Sequence, residues 1–146
     1  MFKKTVTYED YNGEEQTEDF YFNLNKVEVM ELEYSLGPGE SITDSFMTIA
    51  RAKDYGTIIA LIKKVLLMAY GEKTPDGKRF VKSDELRTAF EQSAAFETIF
   101  WEFGTNEDAF AEFFIGVLPS SAKANLGDNP KKLIIDTASE LQKNIK

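Results

Sequence analysis

The sequence predicts an α+β fold, predominantly α-helical, and three observations carry that expectation. Residues 2–24 alternate in polarity on either side of Asn12-Gly13, the pattern of a β-hairpin. From residue 26 onward apolar residues recur at intervals of three and four, the helical period. Residues 54–70 are apolar around most of a helix circumference. Such a helix is buried centrally or shared with a partner. The expected architecture is an N-terminal β-hairpin followed by a compact bundle of several short helices. These surround the central apolar helix 54–70, with a small hairpin near 73–82. Residues 1–119 are expected to form one globular domain, 120–129 a linker and 130–146 a C-terminal amphipathic helix.

Each element follows from its residues. Phe2, Lys4, Val6, Tyr8 and Asp10 share one face of the first strand, and Phe20, Phe22 and Leu24 form the apolar face of the second. Asn12-Gly13 suits a type I′ turn, which needs positive φ at both central residues. Asn25 caps a helix over 26–35 whose stripe is Val27, Met30 and Tyr34, and Gly37-Pro38-Gly39 stops it. A second helix over 42–53 has Ile42, Phe46, Ile49 and Ala50 inward, capped by Ser41 or Thr43. The central helix ends at Tyr70 with Gly71 in the C′ position. Its Lys63 and Lys64 mark the wet edge.

Thr74-Pro75-Asp76-Gly77-Lys78 is a turn leading into a short strand, Arg79–Lys82. Ser83 caps a helix with Asp84 and Glu85 in its first turn and Leu86, Ala89 and Phe90 inward. Ser93 starts another, with Phe96, Ile99, Phe100 and Phe103 as its core stripe and Gly104 as its end. Trp101 falls roughly 150° from the centre of that stripe, so it is expected to be partly exposed. Thr105 and Asn106 precede a helix carrying Phe110, Phe113, Phe114, Val117 and Leu118, which Pro119 ends. Asn129-Pro130 starts the last helix, with Ile134, Ala138, Leu141 and Ile145 on one side.

Composition narrows function. The 146 residues hold 25 acidic and 17 basic side chains, a net charge of −8, and neither cysteine nor histidine. Disulfides, thiolate nucleophiles, imidazole bases and Cys or His zinc sites are therefore excluded. The acidic balance argues against a phosphate-backbone binder, so no nucleic-acid partner is expected. No stretch approaches the ~20 apolar residues of a membrane span, and Phe2–Val6 lacks the apolar run of an export signal.

The acidic pairs Glu14-Glu15, Asp84-Glu85 and Glu107-Asp108 are the candidates for metal or acid–base chemistry. One flanks a hairpin turn and two start helices, so solvation and helix-dipole complement account for them. There is no EF-hand loop and no Gly-x-x-x-x-Gly-Lys phosphate loop. The sequence therefore assigns no catalytic residue, no metal ligand and no cofactor.

The surplus of aromatics is the more unusual feature, with twelve phenylalanines in all. Phe96, Phe100, Trp101, Phe103, Phe110, Phe113 and Phe114 are the candidates for a client-binding or self-association surface. The plainer account for most of them is a filled aromatic core, and Trp101 is the one that misses it. Ile134, Ala138, Leu141 and Ile145 form a candidate docking arm, folded back on its own domain or docked in a neighbour.

These residues carry a resemblance. Phe2-Lys3-Lys4-Thr5-Val6-Thr7-Tyr8, Asn12-Gly13, Thr17 to Leu24 and Lys26 to Glu33 are similar to the opening of tail assembly chaperones of long, non-contractile-tailed bacteriophages. Tyr70-Gly71, Asp76 to Phe80, Ser83 to Arg87, Phe90, Ser93 to Phe96 and Gly116 to Pro119 extend the likeness in order over residues 1–119. The resemblance implies a non-enzymatic protein that binds the tape measure protein, keeps it soluble and promotes tail-tube assembly around it. It also implies action in the host cytoplasm during assembly and absence from the finished virion. The tail-tube protein and a second copy of the chain are further expected partners; a membrane is not. The rival expectations are a structural tail component and an acidic inhibitor or DNA mimic.

Overall fold

The computed structural model describes residues 1–37, 41, 42, 44, 45, 48, 55–123, 132, 135 and 139. Their fold is α+β and mostly helical, as expected. Strands β1 (Phe2–Glu9) and β2 (Glu15–Phe22) form the N-terminal hairpin. Helix α1 (Lys26–Leu36) follows, and then the apolar helix α2 (Tyr55–Ala69). A short hairpin, β3 (Tyr70–Lys73) and β4 (Phe80–Val81), leads into α3 (Asp84–Glu91), α4 (Ala94–Thr105), α5 (Glu107–Val117) and the single turn α6 (Ser120–Lys123). The sheet order is β1-β2-β3-β4, antiparallel throughout.

Alternation decides which face of the hairpin is buried. Opposed residues share a face, and the register pairs Phe2 with Phe22, Lys4 with Phe20 and Val6 with Glu18. Val6, Phe20 and Phe22 are buried beneath the helices, while Lys3, Thr5, Thr7 and Glu9 face solvent. On that wet face Thr5 donates to Asp19 at 2.6 Å and Thr7 meets Thr17 at 3.0 Å.

The hairpin turn differs from the expected type I′ form. Asp10 N–H donates to Glu14 O and Gly13 N–H to Asp10 O, so three residues, 11–13, make the loop. The Asp10 side chain causes this by accepting from both the Asn12 and Glu14 N–H groups. Gly13, at φ 79°, takes the left-handed position that such a three-residue loop needs.

Gly71 is a second correction. It is a strand residue paired with Tyr21, not a helix cap. A Cβ there would lie 2.6 Å from the Phe80 ring and 2.8 Å from the Val81 carbonyl oxygen. Its missing side chain lets the two short strands close, which also moves the small hairpin's start from the expected 73 back to Tyr70.

The helices end and pack largely as their sequences require. Ser83 Oγ accepts from Leu86 N–H, Ser93 Oγ from Phe96 N–H and Asn106 Oδ1 from Ala109 N–H. Leu61, Ile62, Val65, Leu66 and Ala69 bury the inner side of α2, and Lys63 reaches Glu91 of α3 at 2.8 Å on the wet side. Ala89, expected inward, is exposed, and α4 runs one residue past Gly104 to Thr105. Ser41 Oγ accepts from Asp44 N–H, and Ile42, Asp44, Ser45 and Thr48 are helical. Phe46, Ile49 and Ala50 of that expected helix lie outside the described residues.

Gly71→Ala is expected to cost about 1–3 kcal/mol, because the Val81 backbone cannot yield as a side chain would. Urea unfolding measures it. Hydrogen bonds from Glu14 N–H first, then the Gln16 side chain and Asn12 N–H, hold the Asp10 carboxyl below its ordinary value of 3.8. A lowered folded-state value means the stabilisation is present above that pH and is lost as pH falls through it. Asp10→Asn keeps the Oδ1 acceptor without the titration. Its stability is expected to fall less steeply than wild type in acid, as followed by denaturation across that range.

Candidate interaction surface

Among the described residues, helix α1 holds the most exposed apolar face. Its start is a capping box in which Asn25 Oδ1 accepts from Glu28 N–H at 2.8 Å and Glu28 Oε1 accepts from Asn25 N–H at 3.0 Å. The other oxygen of Glu28 accepts from Lys82 Nζ at 2.7 Å. Lys82 also donates to Asn23 O at 2.6 Å. Burial pushes the Lys82 ammonium below its ordinary value, and the Glu28 carboxylate pulls the other way. Next to this knot, Asn23 N–H donates to Ala69 O and Leu24 N–H to Val117 O. The segment entering α1 is thereby tied to α2, to α5 and to the residue after β4.

That anchoring sets the rotation of α1 opposite to the expectation. Val29 and Leu32 are buried and Leu36 packs against the core. The expected inner stripe faces outward, with Val27 55%, Met30 63% and Tyr34 76% exposed. Two triplets share the spacing i, i+3, i+7 and lie about 160° apart around the helix, so periodicity alone does not choose between them. Val27 edges a cleft of about 370 Å³ whose far side is Arg79, Phe80, Val81 and Lys82. Met30 edges a groove of about 200 Å³ against Pro119, Ser121 and Ala122. The apolar face thus continues into a recess on each side. Glu31, on the same helix, is exposed as well.

The aromatic candidates divide. Trp101 is 59% exposed, as its angular offset predicts. It lines neither recess beside α1. Phe96 and Phe100 are half-buried, with Phe96 edge-on to Phe90 at 5.5 Å. Phe103, Phe110, Phe113 and Phe114 are at most 2% exposed. Phe103 stacks on Phe113 at 4.6 Å and Phe110 on Phe114 at 5.9 Å. These four rings fill the core, so in this conformation they offer no surface to a partner. Phe113 also meets Phe2 of β1 and Phe22 of β2, and burial of so much apolar area is the physical reason.

Of the C-terminal segment, Ser120–Lys123 forms a helical turn where a linker was expected. Lys132, Ile135 and Ser139 are helical, and Ile135 is partly buried against the core. Ile134, Ala138, Leu141 and Ile145 lie outside the described residues.

Of the acidic pairs, Asp84 and Glu85 occupy the first turn of α3 and Glu107 and Asp108 that of α5, while Glu14 and Glu15 lie at the hairpin turn. Among the described residues no three acidic side chains cluster to hold a metal ion, and no helix is long and apolar enough to cross a membrane.

The described residues thus form an aromatic-cored α+β body that carries a capped acidic helix with an outward apolar face. The chain belongs to the phage tail assembly chaperone family, whose model matches residues 1–143. No protein of curated function and no solved structure matches it.

Lys82→Ala leaves the half-shielded Glu28 carboxylate without its cation and is expected to cost about 1.5–3 kcal/mol in urea unfolding.

Proposed function

We propose that this chain binds the tape measure protein through the outer face of α1, keeps it soluble and presents it for tail-tube assembly. The observation that carries the reading is the exposure of Val27, Met30 and Tyr34 in one stripe between two recesses. Stripes of this spacing dock an apolar helix side by side, the mode in which amphipathic helices are recognised. A net charge of −8 keeps a body with such a face in solution. Trp101 is a second, separate anchor of the kind that dominates binding energy when covered. Many copies along one long client add avidity without strong single contacts. The action is binding, not catalysis. It belongs to the host cytoplasm during assembly, and the chain leaves before the virion is complete.

Co-expression with the tape measure protein, scored by client solubility and co-purification, tests this. Wild type is expected to bring the client into the soluble fraction. Met30→Glu with Tyr34→Glu is expected to reduce recovery about tenfold or more, and Trp101→Ala to reduce it less, both with an unchanged melting temperature. Phe113→Ala, by contrast, is expected to lose about 3–5 kcal/mol of stability. A client that stays insoluble beside the wild-type chain overturns the proposal. Recovery of the chain in purified virions favours the structural-component reading instead.

A further inference from the structure

β1 ends the sheet, so among the described residues one side of it carries no strand. It is eight residues long, Phe2–Glu9, with neither proline nor glycine. A long edge of this kind is a template for another strand. The direction of its main-chain groups follows from the turn. Asp10 N–H donates inward to Glu14 O. Along a strand these groups point alternately to the two sides, so Phe2, Lys4, Val6 and Tyr8 direct theirs to β2. Lys3, Thr5, Thr7 and Glu9 direct theirs away, to the free edge.

Charge selects what fits there. Lys3 stands near one end of this row and Glu9 at the other. Glu9 lies directly opposite Glu15 of β2, and like charges so placed are destabilising. Among the described residues Lys3 is bound only to Asp19, at 3.4 Å, and stays more than half exposed. A second copy of β1 laid antiparallel about a two-fold axis at Val6 sets Lys3 opposite the second copy's Glu9, and Thr5 opposite its Thr7. A cation then sits beside each Glu9–Glu15 pair. Parallel pairing would instead oppose lysine to lysine and glutamate to glutamate.

The backbone agrees with the same register. Antiparallel partners that exchange hydrogen bonds must both direct their main-chain groups across the junction. Lys3 with Glu9 and Thr5 with Thr7 satisfy this, each pair occurring twice by symmetry, for about eight hydrogen bonds. Their side chains all lie on the solvent face, while Val6 of both copies continues the buried face.

We infer that two copies of this chain pair antiparallel along β1, joining their sheets through Lys3–Glu9 and Thr5–Thr7 contacts. The pairing uses none of α1, so it is tested without a client and stands or falls apart from the holdase reading.

Sedimentation velocity of the full chain across micromolar concentrations is the test. Wild type is expected to reach a dimer. Thr5→Pro removes an outward N–H and none of the bonds to β2, and is expected to weaken the dimer at least about tenfold. Thr5→Ala loses the same side-chain contact to Asp19 but keeps the N–H, and is expected to dimerise. Lys3→Glu and Glu9→Lys are each expected to be monomeric alone, and to form a dimer when mixed, because each supplies the charge the other lacks. A monomeric wild type overturns the inference. So does a Thr5→Pro dimer as tight as that of Thr5→Ala, or a mixture that fails to associate. Should Thr5→Pro not fold, the mixed charge variants decide the matter.

Discussion

Phe22 is the constraint on which the rest depends. It has no exposed surface, and its ring meets Phe2, Tyr70, Phe90 and Phe113 between 5.6 and 6.4 Å. Those four residues belong to β1, β3, α3 and α5. One side chain of β2 therefore joins the hairpin to three later elements, across most of the described chain. Edge-to-face and tilted ring contacts favour defined angles as well as burial. Phe20 extends the contact to Tyr70 and Phe90, which stack on each other at 4.3 Å. The aromatic surplus is spent mainly on this core.

With the core arranged so, the strand end after Phe22 has little freedom. Asn23 and Leu24 bond at once to the ends of α2 and α5, and Lys82 closes over Asn23 and Glu28. A helix that starts from so constrained a cap is limited in the rotations it can take, whichever of its two equivalent stripes is considered. That explains how Val27, Met30 and Tyr34 come to face water on a protein with ample apolar surface elsewhere to bury. The exposed face follows from the anchoring, and it is available to a partner without any opening of the core.

Reading the sequence succeeded where a local rule had no rival. The alternation of β1 and β2, the capping residues Asn25, Ser83, Ser93 and Asn106, and the outward position of Trp101 each rest on neighbours within a turn or two. It failed where two arrangements satisfied the same rule. Asn12-Gly13 suits a two-residue turn, but the carboxylate of Asp10 stabilises a three-residue one. Gly71 after an apolar helix suits a cap, but Phe80 and Val81 need it as a strand residue. Four of the seven aromatic candidates are buried, in line with the plainer account of most of them, though twelve phenylalanines say how much ring area exists and not which rings close over which.

Alternation in residues 2–24 and the helical period after them determined, from the sequence alone, that the chain is α+β, and composition determined that it is acidic and without thiolate nucleophiles and imidazole bases. Its order of motifs pointed to the phage tail assembly chaperone family. Only the tertiary structure decided which stripe of α1 faces water. The two stripes have the same spacing, and the choice rests on contacts from Glu28 to Lys82 and from Leu24 to Val117, partners 54 and 93 residues apart along the chain. No local pattern encodes contacts of that range.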